Sequence, residues 1–126
     1  MFKVNEDKSI YLTRGDVVVL SVSADDNGKP FVFSEGDVLR FKVMEKKNCD
    51  NVYLEKDFRV TEECEAVQIY LGTKETKLGE GINKPKDYWY EIELNPDTYP
   101  QTIVGYDDEG AKVFRLFPEG AELKGE

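Results

Sequence analysis

Histidine is absent from this chain of 126 residues, and no other gap in the sequence excludes as much chemistry. Without imidazole there is no serine or cysteine triad of the usual kind, and the commonest general base is missing. Cysteine is scarce too, with only Cys49 and Cys64. Two thiols without a histidine do not complete an ordinary four-ligand zinc site, and a small secreted scaffold would carry more cysteines, evenly paired. Both are read as free thiols that stay reduced in a reducing cytoplasm; a bridge between neighbouring strands is the alternative. No stretch approaches the ~18 apolar residues of a membrane span. The first residues, Met1-Phe2-Lys3-Val4-Asn5-Glu6-Asp7, lack a basic-then-apolar leader, so cytoplasmic synthesis with no signal peptide is expected. None of the ten glycines falls in a phosphate-cradling spacing.

Positive charge is also short: 17 basic residues face 26 acidic ones, for a formal net charge of -9. Such a field repels phosphate, which argues against nucleic acid and anionic membrane surfaces as partners. Apolar residues make up 40% of the chain, with seven Tyr, seven Phe and one Trp. A chain of this length buries roughly two-thirds of its unfolded surface and needs neither staples nor metal to hold a core. No Pro/Gly/Ser-rich linker interrupts it, so one domain over 1–126 is expected, with its core at about 8–119 and frayed ends.

Apolar residues recur with period two, the repeat of a strand with one buried face. Ile10 and Leu12 open a first strand. Val18, Leu20, Val22 and Ala24 share one face of the next, with Ser21 and Ser23 opposite. Asp25-Asp26-Asn27-Gly28 then forms a tight turn, because Asn and Gly tolerate positive φ. Phe31 and Phe33 lie on a short return, and Ser34-Glu35-Gly36-Asp37 turns again. Leu39, Phe41 and Val43 point inward against Arg40 and Lys42. Val52 to Leu54 leads on to Phe58 and Val60, and Val67, Ile69 and Leu71 alternate in turn. Residues 74–79 read as one short helical turn stopped at Gly79. Tyr88, Tyr90, Ile92 and Leu94 are assigned inward, leaving Trp89, Glu91 and Glu93 outward. The last third reads as a hairpin, with Thr102 to Tyr106 and Val113 to Phe117 joined at Asp107-Asp108-Glu109-Gly110. About seven or eight such strands suit two packed antiparallel sheets, with a closed barrel as the runner-up.

Each candidate for chemistry has a plainer reading. Glu91 and Glu93 are the best carboxylate pair for glycosidase-like catalysis, yet on a solvated sheet face such residues ordinarily meet water. The Asp-rich turns at 25–28 and 107–110 lack the ligand spacing of a calcium loop and serve as turn formers. Arg14-Gly15-Asp16 spells an adhesive tripeptide, but it sits between two strands and reads as a corner where Gly15 takes the unusual φ and Asp16 caps the backbone. An outward tryptophan is a contact signal, so Trp89, Glu91 and Glu93 form the candidate interaction surface. Neither catalysis nor a metal or cofactor is expected.

The run Ile10-Tyr11-Leu12-Thr13-Arg14-Gly15-Asp16 precedes an alternating strand, an acidic-Gly turn and a second Gly-Asp at Gly36-Asp37-Val38-Leu39-Arg40-Phe41-Lys42-Val43. This pattern resembles the immunoglobulin-like domains of phage tail and baseplate proteins, in particular the N-terminal domain of baseplate upper proteins in phages of Gram-positive bacteria. Glu75-Thr76, Tyr88-Trp89-Tyr90-Glu91-Ile92-Glu93-Leu94 and the ending Phe114-x-Leu116-x-Pro118-Glu119 fit the same outline. The likeness spans about residues 8–119. It implies an immunoglobulin-like sandwich without enzymatic activity, placed in a virion tail or in the cytoplasm of a Gram-positive host. Its partners would be other tail or baseplate proteins, or further copies of itself. A carbohydrate-binding sandwich that uses exposed aromatics is the alternative. Larger members of that family follow such a domain with fibre or receptor-binding segments.

Overall fold

A computed structural model describes residues 2–45, 52–79 and 81–120. Among them the chain is nearly all β: β1 (Phe2–Val4), β2 (Ile10–Thr13), β3 (Val18–Val22), β4 (Asp25–Asp26), β5 (Lys29–Pro30), β6 (Val38–Met44), β7 (Val52–Arg59), β8 (Val67–Leu71), the single helical turn α1 (Thr73–Thr76), β9 (Lys86–Leu94), β10 (Gln101–Val104) and β11 (Lys112–Phe117). The large sheet runs β1-β2-β11-β9-β6-β7, with β10 also on β9, while β3 pairs with β8 and β4 with β5.

The sandwich follows from where the apolar residues point. Val18, Leu20 and Val22 of β3 and Val67, Ile69 and Leu71 of β8 join one core with Leu39, Phe41, Val43, Tyr88, Tyr90, Ile92, Leu94, Phe114 and Leu116 from the large sheet. Phe41 stacks on Tyr90 with ring centroids 5.6 Å apart, and Phe114 meets both rings edge-on. Each such side chain contributes about 1.5–3 kcal/mol by leaving water. Tyr90 donates its hydroxyl proton to the Lys8 carbonyl, which satisfies the one polar atom it buries.

Three features depart from the sequence reading. The final hairpin does not exist as such: β10 and β11 both pair antiparallel with β9, as two stretches of one interrupted strand. The turn at 107–110 closes on itself through an Asp107–Gly110 bridge. The sandwich is also not wholly antiparallel, because β11 pairs with β2 in parallel. Beyond the seven or eight strands the periodicity pointed to, the short β1, β4 and β5 are added. β1 was invisible to period-two patterning, since all three of its residues are exposed. The helical turn is shorter than expected: it spans Thr73–Thr76 with Lys77 as its C-terminal cap, and Gly79, read as its stop, takes φ 65° beyond that cap. The hairpin turn has Asn27 at φ 52° and Gly28 at φ 83°, the signs of a type I′ turn. Cys64 carries a half-buried free thiol, and its backbone pairs with Phe33; Cys49 lies outside the described residues.

The Arg14-Gly15-Asp16 corner is structural. Arg14 is only 7% exposed. Its guanidinium donates to three successive carbonyls beyond α1, those of Lys77 (3.4 Å), Leu78 (3.1 Å) and Gly79 (2.7 Å). An adhesive receptor would find that cation already spent inside the fold. Gly15 takes φ 90°, as expected of the corner residue. The Asp16 carbonyl accepts the hydroxyl of the buried Thr76 at 2.8 Å, so the corner and α1 are tied twice.

Candidate functional site

Alternation on β9 fixes which side chains leave the core. Tyr88, Tyr90, Ile92 and Leu94 are buried, and Asp87, Trp89, Glu91 and Glu93 stand on the opposite face, half-buried. Register then sets their neighbours. Trp89 lies between Met44 of β6 and Val113 of β11, an apolar rung across three strands. On one side of it Tyr11, Arg115 and Asp87 line up, with Arg115 bonded to both Asp87 oxygens and its guanidinium 4.8 Å above the Tyr11 ring. Tyr11 also meets the Phe117 ring edge-on at 5.8 Å.

On the other side the rungs are ionic. Lys42 lies 2.6 Å from Glu93 and 3.6 Å from Glu91, so one ammonium holds both carboxylates. Arg40 forks onto Asp57 (2.8 and 3.1 Å) and reaches Glu55 (3.1 Å) and Asp97 (3.1 Å). The bond from Asp57, then that from Asp97, raises the already high guanidinium value, and Arg40 in turn holds the Asp57 carboxyl below its ordinary range. Asp87 raises Arg115 in the same way. Such exposed pairs add little stability but fix side chains in place.

This arrangement places all three expected surface residues together on one face, with Glu91 and Glu93 sharing the Lys42 ammonium. Among the described residues no group of three metal-ligating side chains gathers. The acidic turns use their carboxylates internally: Asp25 accepts the Gly28 N–H, and Asp107 accepts the Glu109 N–H and the Lys112 ammonium. Lys112, which is buried, holds the Asp107 carboxyl below its usual range, helped by the Glu109 N–H.

Sequence reasoning missed a second surface. A half-open cleft of about 1090 Å³ lies at the end of the sandwich opposite α1. Its walls are β10, the β4–β5 hairpin, the chain after β3, and residues Glu65 and Ala66. A register shift between Thr102 and Val104 makes Ile103 an extra residue on β10, and both Ile103 and Val104 pack towards the core. A bulge leaves no sequence mark, which is why this wall was not foreseen. Compared with protein families, with curated proteins and with solved structures, the chain matches none. No described helix is long and apolar enough to cross a membrane.

Proposed function

We propose that the chain is a non-enzymatic structural module of a phage or prophage tail or baseplate that assembles through protein–protein contacts. The observation that carries the reading is the outer face of the large sheet. There a half-buried tryptophan sits on an apolar rung, between rungs of side chains already fixed by ion pairs. Such a face loses little conformational entropy when a partner covers it, and aromatic and arginine anchors dominate protein interfaces. The Leu-Thr-Arg-Gly-Asp stretch supports the reading from another direction, since a motif that holds a corner fits a family likeness in scaffold better than in chemistry. Co-expression with the products of neighbouring genes tests it. Capture of at least one of them, weakened about tenfold or more by Trp89→Ala, is expected. A monomer that captures none of them would sink the proposal.

A carbohydrate-binding role is the second reading. It is favoured by Trp89, Tyr11 and Phe117 on one face and by Tyr99 and Tyr106, which are 84% and 78% exposed. A glycan array with Trp89→Ala as control separates the two readings: sugar binding lost in the variant supports this one, and a blank array removes it.

A further inference from the structure

The two long flanks of this sandwich are closed differently. At the β7–β8 flank, Lys56 of β7 donates to the Tyr70 carbonyl of β8 at 3.1 Å and to Glu75 at 2.8 Å, so a charged side chain occupies part of the β8 edge. The outer strand β7 itself reads Glu55-Lys56-Asp57, the alternating charge that discourages strand addition. At the β10 flank the edge strand is instead short and bulged. β10 pairs with β9 along one edge, and among the described residues its other edge pairs with no strand.

That vacancy has a geometric cause. β2 covers the far edge of β11 in parallel and would run on beside β10 if it extended towards the N-terminus. It does not, because Lys8 takes φ 71° and residues 5–9 turn back into β1. The missing strand position therefore opens into the cleft that Lys8, Gln101, Thr102, Ile103 and Val104 help to line. Opposite them stand Ala24 and Phe31 as apolar ground, with Asp25, Asp26 and Glu65 around the rim. Three carboxylates against one lysine give the opening a negative sign in a chain already at -9.

We propose that this cleft binds an extended polypeptide segment of a partner protein, which adds to β10 as a new strand. The segment would carry apolar residues at alternate positions and Lys or Arg at those facing Asp25, Asp26 and Glu65. Main-chain bonds to Gln101–Val104 supply affinity, alternate side chains seat on Ile103, Val104 and Phe31, and the acidic rim selects for positive charge. The proposal rests on the assembly reading for the class of partner, a protein, and moves the contact from the Trp89 face to a strand edge.

The probe is a random library of 12-residue peptides panned against the immobilised full chain. A selected peptide is then titrated into isotope-labelled protein. Enriched sequences should alternate apolar and basic residues, shift the amides of Gln101–Val104, and bind the Asp25→Lys/Asp26→Lys double variant at least about tenfold more weakly. No enrichment, peptides that bind the double variant equally well, or shifts confined to the Trp89 face would each overturn it. Oligosaccharides that shift the β10 amides where no peptide does would overturn it as well. Capture of neighbouring gene products unchanged in the double variant defeats the cleft and leaves the assembly reading intact. Selection of strand peptides by a chain that captures no neighbour defeats the assembly reading instead.

Discussion

The two ends of the sandwich solve the problem of closure with opposite means. At the α1 end polar contacts tie the connections together: Arg14 holds three carbonyls, Thr76 holds the Asp16 carbonyl, and the Glu75 carboxylate caps the Gly72 N–H at 3.1 Å while accepting Lys56. Glycines permit the close approach. A Cβ on Gly79 would lie 2.8 Å from the Tyr88 hydroxyl, and one on Gly15 would run into the Glu119 carboxylate. At the other end a hairpin with exposed two-residue arms faces a bulged strand across an open cleft. Buried polar groups are costly when left unpaired, so the first end tolerates little change. The second end has backbone and apolar surface still to cover, which is the condition for binding.

If that contrast is right, substitutions at the α1 end should cost stability and those at the cleft should cost binding. Arg14→Ala breaks the contrast most sharply. It strands the buried Leu78 carbonyl and two part-buried ones, those of Lys77 and Gly79, and should lower unfolding stability by about 3 kcal/mol, read from the urea midpoint. Gly15→Ala follows at about 2 kcal/mol, because an L-residue at that φ is strained and Glu119 must also move. Thr76→Val keeps the shape and removes only the hydroxyl bond, so about 1–2 kcal/mol is expected. Asp25→Lys/Asp26→Lys, at the cleft, should change stability by less than about 0.5 kcal/mol. A double variant that unfolds as readily as Arg14→Ala would erase the distinction between the ends.

A pH measurement sharpens the same comparison on a smaller scale. The Lys56 ammonium, and then the Gly72 N–H, hold the Glu75 carboxyl below its ordinary 4.5. A carboxyl whose value is lowered by folding stabilises fully above its unfolded value and loses that contribution as pH falls through the folded one. Lys56→Met should therefore cost about 0.5 kcal/mol at pH 7, and the gap to the unaltered chain should close as the pH drops below the ordinary glutamate range. A gap that stayed constant down to pH 3 would show that Lys56 acts through its packing on Phe58 and Tyr70 and not through charge.

Much of the fold was legible because burial is one-sided on the strands that build the core. β3 and β8 alternate buried and exposed positions, β6, β9 and β11 buried and mostly half-buried ones, and period two marks such strands directly. β7 was only partly legible, since an edge strand exposed along most of its length carries no such signal. The supposed hairpin at 107–110 shows a different limit. An Asp-x-x-Gly turn says that the chain reverses locally, not that its flanking strands pair, and here both chose β9. For the candidate surface, alternation placed Trp89, Glu91 and Glu93 on one face. Only register shows that Lys42 joins the two carboxylates and that Met44 and Val113 flank the tryptophan. Arg14 was legible as a corner but not as a clamp, because its partners lie 63–65 positions away in sequence.

Where a partner touches this chain is the central question. Amide hydrogen exchange on the protein alone, and again mixed with the products of its neighbouring genes, tests this directly. New protection is expected at Gln101–Val104 or on the β6–β9–β11 face around Trp89, with the corner at 14–16 and α1 unchanged. Protection confined to that corner and α1, or no change at any amide, would contradict it.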